Sequence, residues 1–297
     1  MKIVIPMAGV GNRFVQHGYE IPKPLIKIDG KPMIAHVCDA FSKDDEFLFI
    51  CNREHIESTE MSSILSGIVN KFSIISVEPH KLGPVHSVML AQDMIEDDEE
   101  VIVNYCDFTI EWDYKKFLDL MRSKKADGGL PSFRGFHPAS LGTTKYAYLK
   151  VDDSMHVQNI IEKECFSDDK TKDFASTGTY YFRTGAIMKK YFSNIMEAGM
   201  DINGEFYATI PYNVMIKDGL LVLVFEVKKF ICFGTPYDLN QYNAWSYHFS
   251  GLSNGGFMSN ADLSVVPMKE SMNVLLGQHE YWRDYFSKKN HHPYGKR

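Results

Sequence analysis

Short apolar runs alternate with longer amphipathic stretches along the first part of the chain. The apolar runs, short enough for buried strands, are residues 2–7, 47–51, 72–77 and 101–107. The stretches predicted to be helices are residues 34–41, 56–70, 85–95 and 114–123. Strands separated by helices are typical of βαβ units. The pattern therefore predicts an α/β fold, a Rossmann-like mixed and mainly parallel sheet flanked by helices.

The second part of the chain continues with further predicted strands and ends differently. The strands begin at residue 127 and recur at 146–152, 175–182 and 221–227, and a helix is predicted over 185–198. Residues 251–260 are predicted to be a loop and 270–289 a helix. This tail is rich in aromatic residues, so we expect it to pack on the domain or on a partner subunit, which makes a homodimer a hypothesis.

Composition excludes several classes of function. The chain of 297 residues is 44% hydrophobic and 24% charged, as expected for a protein with a substantial core. Its net charge of −6 gives no basic surface for nucleic acid. No apolar run approaches the roughly 18 residues of a membrane span. The five cysteines show no metal-ligand spacing, which indicates reduced thiols and a cytoplasmic location.

The turn after the first strand carries the clearest chemistry. Gly9 and Gly11 leave backbone N–H groups uncovered, and such groups can cradle a phosphate. Arg13 and Lys23 add two cations nearby in the sequence. A glycine pair alone would equally fit a tight strand–helix connection, and G-x-G-x-R is neither the dinucleotide fingerprint nor the P-loop. With both cations, the stretch predicts a triphosphate site.

This stretch resembles a known signature. Ala8-Gly9-Val10-Gly11-Asn12-Arg13, followed by Pro22-Lys23-Pro24-Leu25, is similar to the motif of the sugar-phosphate nucleotidyltransferases, also called nucleotide-sugar pyrophosphorylases. The resemblance recurs at intervals to about residue 240. It implies a fold of the nucleotide-diphospho-sugar transferase type, with a catalytic domain at 1–245 and a C-terminal loop and helical extension at 246–297. It also implies that an NTP and a sugar phosphate, or a similar small phosphate acceptor, react to give an NDP-sugar and pyrophosphate, in the supply of surface polysaccharide precursors.

The resemblance also implies roles for individual residues. Ala8, Gly9 and Gly11 would bind the nucleotide, and Arg13 and Lys23 would be catalytic.

Asp107 comes where a buried strand runs out, and ligands of open α/β sheets bind outside the carboxyl ends of strands. By position alone it could be a cap of the following turn or a Mg²⁺ ligand. The family carries a metal-binding aspartate there, so the resemblance favours Mg²⁺ as the cofactor.

Five further residues correspond to the family's sugar-phosphate site. Glu162 and Lys163 resemble its I-x-E-K-P segment, in which the glutamate bonds sugar hydroxyls and the lysine binds the phosphate. Ala147 replaces a glycine that lies close to the sugar, Gly178 belongs to a G-x-Y-x-F strand, and Glu205 to a G-E segment. Without the resemblance, Glu162 and Lys163 would be interpreted as an exposed ion pair of little energetic value.

Cys232 is the clearest departure from the family pattern. It stands where the family's D-x-G-T-P motif supplies a second metal-binding aspartate, and a thiol is a poor Mg²⁺ ligand. Either Asp107 holds the metal with the triphosphate and water, or another acid such as Glu226 or Glu205 substitutes. The departure also leaves open a catalytically inactive nucleotide-sugar-binding regulator.

The loop from Glu78 to Gly83 matches the family's base-reading loop. A carboxylate only accepts hydrogen bonds, and guanine offers it two adjacent donors, so Glu78 favours GTP and then CTP. The alternative is a solvated loop acid. A metal-dependent glycosyltransferase is a further alternative for the whole protein. Such enzymes commonly carry D-x-D at a strand end, whereas here Tyr105 stands in the first position of Tyr105-Cys106-Asp107.

Overall fold

The computed structural model describes residues 1–141, 146–253 and 272–288. The strands in these segments are β1 (Lys2–Met7), β2 (Lys27–Ile28), β3 (Lys31–Pro32), β4 (Glu46–Asn52), β5 (Phe72–Val77), β6 (Val101–Asn104), β7 (Phe108–Glu111), β8 (Gly128–Phe133), β9 (Ala147–Val151), β10 (Val157–Glu162), β11 (Phe174–Ser176), β12 (Thr179–Phe182), β13 (Val222–Glu226) and β14 (Lys229–Cys232). The helices are α1 (Asn12–Val15), α2 (Met33–Cys38), α3 (Arg53–Ser58), α4 (Met61–Ser66), α5 (Gly83–Leu90), α6 (Tyr114–Lys124), α7 (Gly185–Glu197), α8 (Ile210–Lys217), α9 (Pro236–Ser253) and α10 (Met272–Lys288).

Ten of these strands form one mixed sheet. Its order is β10-β9-β11-β8-β12-β6-β1-β4-β5, and β13 pairs with β8 beside this path. The four strands β6, β1, β4 and β5 are parallel to one another, and β12 joins them to the rest through antiparallel pairs with β6 and β8. The predicted fold class, a mixed sheet with a mainly parallel core, is confirmed.

Strand β1 lies at the centre of the parallel core, between β4 and β6. All six of its residues are buried and pair in register with residues 46–51 of β4. Apolar clusters cover both faces of the sheet, one including side chains of α5, α7 and α8, the other of α2, α4 and α6. Full burial of each large aliphatic side chain stabilises by roughly 1.5–3 kcal/mol. The carboxyl end of β1 is therefore held firmly, and the glycine turn starts from a fixed point.

The single strand predicted over residues 175–182 is wrong, because the chain breaks at Gly178 into β11 and β12. Gly178 has φ 101°, and a Cβ there would lie 2.8 Å from Cε1 of Phe108. Since a side chain would be both strained and crowded, only glycine fits the break. Beyond it the chain changes partners, from β9 to β6.

Two other predicted elements are shorter than expected. The helix over 56–70 is two helices, α3 and α4, because the backbone at Thr59 is extended, with φ −138° and ψ 171°. The strand over 101–107 ends at Asn104, where the chain turns towards β12 and Tyr105 N–H donates to the Gly178 carbonyl at 3.1 Å. Asp107 therefore lies in the turn between β6 and β7 rather than on a strand.

The C-terminal part is helical where it is described. Residues 251–253 belong to α9, so the predicted loop is wrong there, and residues 254–260 lie outside the described segments. The predicted C-terminal helix is confirmed over α10. Its aromatic side chains are buried in a cluster with Phe14 and Tyr242, within the chain itself. The proposed boundary between residues 245 and 246 falls inside α9.

Within the described segments, no helix is long and apolar enough to cross a membrane.

Candidate active site

Two cavities adjoin at the carboxyl edge of the parallel strands. The first, of about 430 Å³, lies between the glycine turn after β1 and the turn before α5. The second, of about 590 Å³, lies over β9, β10 and the break between β11 and β12. Residues lining both cavities are Arg13, Tyr105, Asp107, Tyr207 and Gly234. The two cavities can therefore hold two ligands that touch at this shared wall.

The structure gathers nearly all the sequence-predicted residues around these cavities. Those lining the first are Ala8, Gly9, Gly11, Lys23, Gly83 and Glu205. Those lining the second are Ala147, Glu162, Lys163 and Gly178. Arg13 and Asp107 line both, whereas Glu78 lines neither. Predicted site residues that are as far apart in the sequence as Ala8 and Glu205 thus lie around the same pair of cavities.

The glycine turn presents bare backbone to the first cavity. A Cβ added at Gly9 would have no atom within 4 Å, so the space in front of it is open. Gly11 is the N-cap of α1, and Arg13 on that helix is exposed. Backbone N–H groups and a guanidinium so arranged suit an anion such as a phosphate chain.

Lys23 bonds two residues of the shared wall, Asp107 and Gly234. Its ammonium donates to Oδ2 of Asp107 at 2.6 Å and to the carbonyl of Gly234 at 3.1 Å. Burial is the largest single effect and acts to lower the pKa of Lys23, but the charge of Asp107, the hydrogen bond to it and the nearby thiols Cys106 and Cys232 together raise the pKa above its ordinary value. A charged lysine therefore stands where the two cavities meet.

The turn before α5 is pinned to the loop that carries Glu205. Phe206 N–H donates to the Leu82 carbonyl at 2.9 Å, and Val85 N–H donates to the Phe206 carbonyl at 3.2 Å. Gly83 has φ 87°, and a Cβ there would lie 2.6 Å from the Phe206 nitrogen. These contacts fix the far wall of the first cavity.

Gly83→Ala is expected to destabilise the protein by about 1–3 kcal/mol more than Gly135→Ala, because the added methyl group overpacks against backbone. Gly135 is the matched control, since its φ is 80° yet a Cβ there would have nothing within 4 Å. Urea unfolding of both variants measures the difference. Equal losses would mean that only the left-handed backbone, and not the contact with Phe206, demands glycine.

His80 and Ser87 line the first cavity and were missed by the sequence prediction. Leu82 N–H donates to Nδ1 of His80 at 3.2 Å, so Nε2 carries the proton and donates to the Ser87 hydroxyl at 2.9 Å. Burial, and then the neighbouring His86, lower the pKa of His80. The imidazole is therefore held in one neutral tautomer. The available signal was the position of His80 inside the predicted base-reading loop from Glu78 to Gly83.

Glu78 itself lies on the surface. Its carboxylate pairs with the guanidinium of Arg53 at 2.7 Å, and 70% of its side chain is exposed. It follows β5 directly, whereas the cavity lining begins two residues later at His80.

Glu162 and Lys163 are not an exposed ion pair. Both are only half-exposed, and within the described segments no ion pair joins them. Glu162 accepts a hydrogen bond from the Thr209 hydroxyl, and burial raises the pKa of its carboxyl group. Lys163 donates to the Tyr207 hydroxyl at 3.3 Å. The second cavity therefore offers a half-buried acceptor and a cation as separate groups.

The neighbourhood of Cys232 contains an acid that the sequence prediction overlooked. Sγ of Cys232 lies 3.5 Å from Oδ2 of Asp238, and both residues line the second cavity with Asp107. Glu226, one acid suggested as a substitute, instead pairs with Arg134 at 3.1 Å and lines neither cavity. The Thr235-Pro236-Tyr237-Asp238 segment after Cys232 was the available signal.

Comparison with known proteins assigns the family. The chain matches the model of the nucleotidyl transferase family over residues 2–284. It belongs to the nucleotidyl transferases.

Individual relatives of this nucleotidyl transferase are distant. The bifunctional protein GlmU of Bacillus cereus (strain G9842) is 24% identical over 235 residues, which are 76% of this chain and 47% of that protein. The chain thus spans about half the length of the curated relatives it matches. Among solved structures, the nucleoside-diphosphate-sugar pyrophosphorylase from Vibrio cholerae RC9 is 22% identical with a TM-score of 0.66, covering 81% of this chain and 99% of that one. HddC from Yersinia pseudotuberculosis, complexed with GMP-PN, is 23% identical with a TM-score of 0.58, covering 82% and 97%. These likenesses show the fold.

The second cavity of this nucleotidyl transferase, which shares Asp107 with the first, fits a hard divalent cation. In the described segments, no three His, Cys, Asp or Glu side chains gather as a metal centre. Three carboxylates, those of Asp107, Glu162 and Asp238, nevertheless line the second cavity, and Cys232 lies between those of Asp107 and Asp238. The buried hydroxyl of Tyr146, also in its lining, lies beside the Cys232 thiol and has no oxygen or nitrogen partner among the described residues. Oxygen donors that are too few to enclose an ion suit Mg²⁺, which keeps several waters and shares its coordination with phosphates.

Proposed function

We propose that this nucleotidyl transferase joins an NTP to a sugar phosphate, or a similar small phosphate acceptor, and releases pyrophosphate and an NDP-sugar. The observation that carries the proposal is the shared wall, because Arg13 and Asp107 line both cavities and Lys23, in the lining of the first, pairs with Asp107. A nucleotide in the first cavity and an acceptor in the second would meet there, with the α-phosphate beside Lys23. The names of the solved neighbours support the same reaction class.

The chemistry follows from alignment and charge. The glycine turn and Arg13 would hold the β- and γ-phosphates, and Lys23 would stabilise the charge that builds on the α-phosphate. Lys163 would hold the acceptor phosphate, with Glu162 accepting from its hydroxyls. The acceptor's phosphate oxygen forms the new bond to the α-phosphorus as the bond to pyrophosphate breaks. No general base is needed, because that oxygen is already ionised. Asp107 would hold Mg²⁺, which supplies further charge neutralisation when bound.

Two alternatives explain fewer of these observations. A catalytically inactive nucleotide-sugar-binding regulator is motivated by Cys232, but binding alone does not call for a lysine beside Asp107 at the junction of the cavities. A metal-dependent glycosyltransferase would need an acid where Tyr105 stands. The enzyme reading is therefore preferred. In it, the protein acts in the cytoplasm, supplies surface polysaccharide precursors, and forms a homodimer.

The proposal includes a preference for GTP, and then CTP, through Glu78. Glu78 would have to leave Arg53 and turn into the first cavity when nucleotide binds. Glu78→Gln is then expected to lower GTP turnover relative to UTP turnover by about tenfold, since a glutamine does not offer two acceptors. Arg53→Ala is the control, because it frees Glu78 without removing it. An unchanged ratio in Glu78→Gln would assign base selection to His80, Lys81 and Ser87 instead.

The direct test of the reaction is pyrophosphate release. Purified protein with Mg²⁺ is given each of ATP, GTP, CTP, UTP and dTTP against a panel of sugar phosphates and small non-sugar phosphates. Release with one NTP that depends on one acceptor is the expected result. Tight nucleotide binding without release would support the inactive regulator, and acceptor-independent release would mean simple hydrolysis.

A further inference from the structure

We infer that Asp238, on helix α9, supplies the second carboxylate of the metal site beside Asp107. The thiol of Cys232 is a poor ligand for Mg²⁺ and does not take this role. The inference rests on the proposed function only in that the reaction is taken to use a divalent cation. The assignment itself concerns which side chains of this chain hold the ion.

The first support is the geometry around Gly234. The point where a Cβ of Gly234 would stand lies 3.2 Å from Oδ2 of Asp107 and 3.3 Å from Sγ of Cys232. Sγ of Cys232 in turn lies 3.5 Å from Oδ2 of Asp238. Cys232 thus lies between the two carboxylates, and the absence of a side chain at Gly234 keeps the space beside Asp107 and Cys232 open. Asp238 approaches this space from the first turn of α9, whereas Cys232 is the last residue of β14.

The second support is the set of contacts that Asp238 makes. Its Oδ2 accepts hydrogen bonds from the Thr235 hydroxyl at 2.6 Å and the Cys232 thiol. Both contacts are to the same oxygen, which leaves Oδ1 for another ligand. In the described segments, no lysine, arginine or histidine pairs with Asp238, whereas Asp107 has Lys23. The second cavity therefore contains a carboxylate that lacks a cation.

The third support is independent of the acids. The hydroxyl of Tyr146 is buried in the lining of the second cavity, where it finds no oxygen or nitrogen partner among the described residues and lies beside the Cys232 thiol. Buried polar atoms are almost always paired in folded proteins. A water bound to a cation between Asp107 and Asp238 would give this hydroxyl its partner.

The test is Mn²⁺ binding by the full-length protein, followed through loss of the free-ion signal in electron paramagnetic resonance. We expect Asp238→Asn to raise the dissociation constant for Mn²⁺ by at least about tenfold, as loss of even an outer-shell partner does. Glu226→Gln is the matched control, because it removes an acid that pairs with Arg134 outside both cavities, and it should bind as the wild type does.

A rescue separates metal binding from the role of Asp238 at the start of α9. Cys232→Asp in the Asp238→Asn background should restore Mn²⁺ affinity, since it returns a carboxylate to β14 without repairing the contact with Thr235. Three results would each overturn the inference. They are an Mn²⁺ affinity of Asp238→Asn equal to that of the wild type, no Mn²⁺ binding by the wild type, and failure of the rescue in a folded double variant.

The outcome is distinguishable from failure of the proposed function. Pyrophosphate release by the wild type with unchanged Mn²⁺ affinity in Asp238→Asn would remove Asp238 from the site and leave the reaction standing. Loss and rescue of Mn²⁺ affinity without any pyrophosphate release would uphold Asp238 and refute the reaction.

Discussion

Replacing Lys23 with alanine is expected to lower turnover by about 10²–10³-fold, the cost typical of removing one donor to a developing oxyanion. The ammonium is half-buried at the junction of the two cavities, and Asp107 keeps it charged. In the reaction it would pass from Asp107 to the α-phosphate, where negative charge builds as pyrophosphate leaves. Steady-state pyrophosphate release under saturating substrates measures the loss.

The control for this variant is Lys27→Ala. Lys27 is an exposed lysine four residues further on, and it lines neither cavity. Mn²⁺ affinity separates two explanations for a slow Lys23→Ala enzyme. We expect it to be unchanged or tighter, because Asp107 loses a competing cation. Weaker Mn²⁺ binding would mean that Lys23 acts by ordering Asp107, and near wild-type turnover would remove Lys23 from the mechanism.

Asp107→Asn is the second large loss that we expect, of at least about 10²-fold in turnover, since the Lewis-acid contribution of a metal is worth several kcal/mol. A second effect follows at Lys23. Burial lowers the pKa of that lysine and the Asp107 charge now opposes it. Without the charge, the pKa falls, and Lys23 loses its proton at lower pH than in the wild type. As the pH rises, the residual activity of the variant should therefore begin to fall at a lower pH than the activity of the wild type does.

Asp39→Asn is the matched control for this experiment. Asp39 also pairs with a lysine, Lys31 at 3.4 Å, but 63% of its side chain is exposed and it lines neither cavity. Its removal should change turnover little, as is usual for surface ion pairs. An alkaline limb identical in wild type and Asp107→Asn would contradict the proposed coupling between Asp107 and Lys23.

Sequence alone predicted the features that depend on contiguous residues. Strand β1 and the glycine turn are one uninterrupted stretch, so an apolar run, two glycines and a following arginine were sufficient. The parallel core followed from strands alternating with helices. Gly178 was recognised as part of a motif, but its crowding against Phe108 was not, because Phe108 lies 70 positions earlier in the chain.

What the sequence could not predict depends on contacts between distant elements. Asp238 was not predicted, because the D-x-G-T-P motif places the expected acid at position 232. Only the fold brings α9 beside Asp107. Glu78 matched a motif, yet its ion pair with Arg53 at the end of the neighbouring strand is invisible in a linear pattern. The aromatic residues of α10 were expected to pack on the domain or on a partner subunit, and they pack against Phe14 and Tyr242 of the same chain. The homodimer stays a prediction without support from these side chains.

The central claim is that the acceptor attacks the α-phosphorus of the NTP at the wall shared by the two cavities. The most direct measurement follows phosphorus labels, with the NTP and acceptor identified by pyrophosphate release and ³²P placed in turn at the α- and γ-positions. We predict that the α-label appears in the acceptor product and the γ-label in pyrophosphate. Transfer of the γ-label to the acceptor would reveal a kinase, and an α-label found only in free nucleotide would reveal a hydrolase, either of which would contradict the claim.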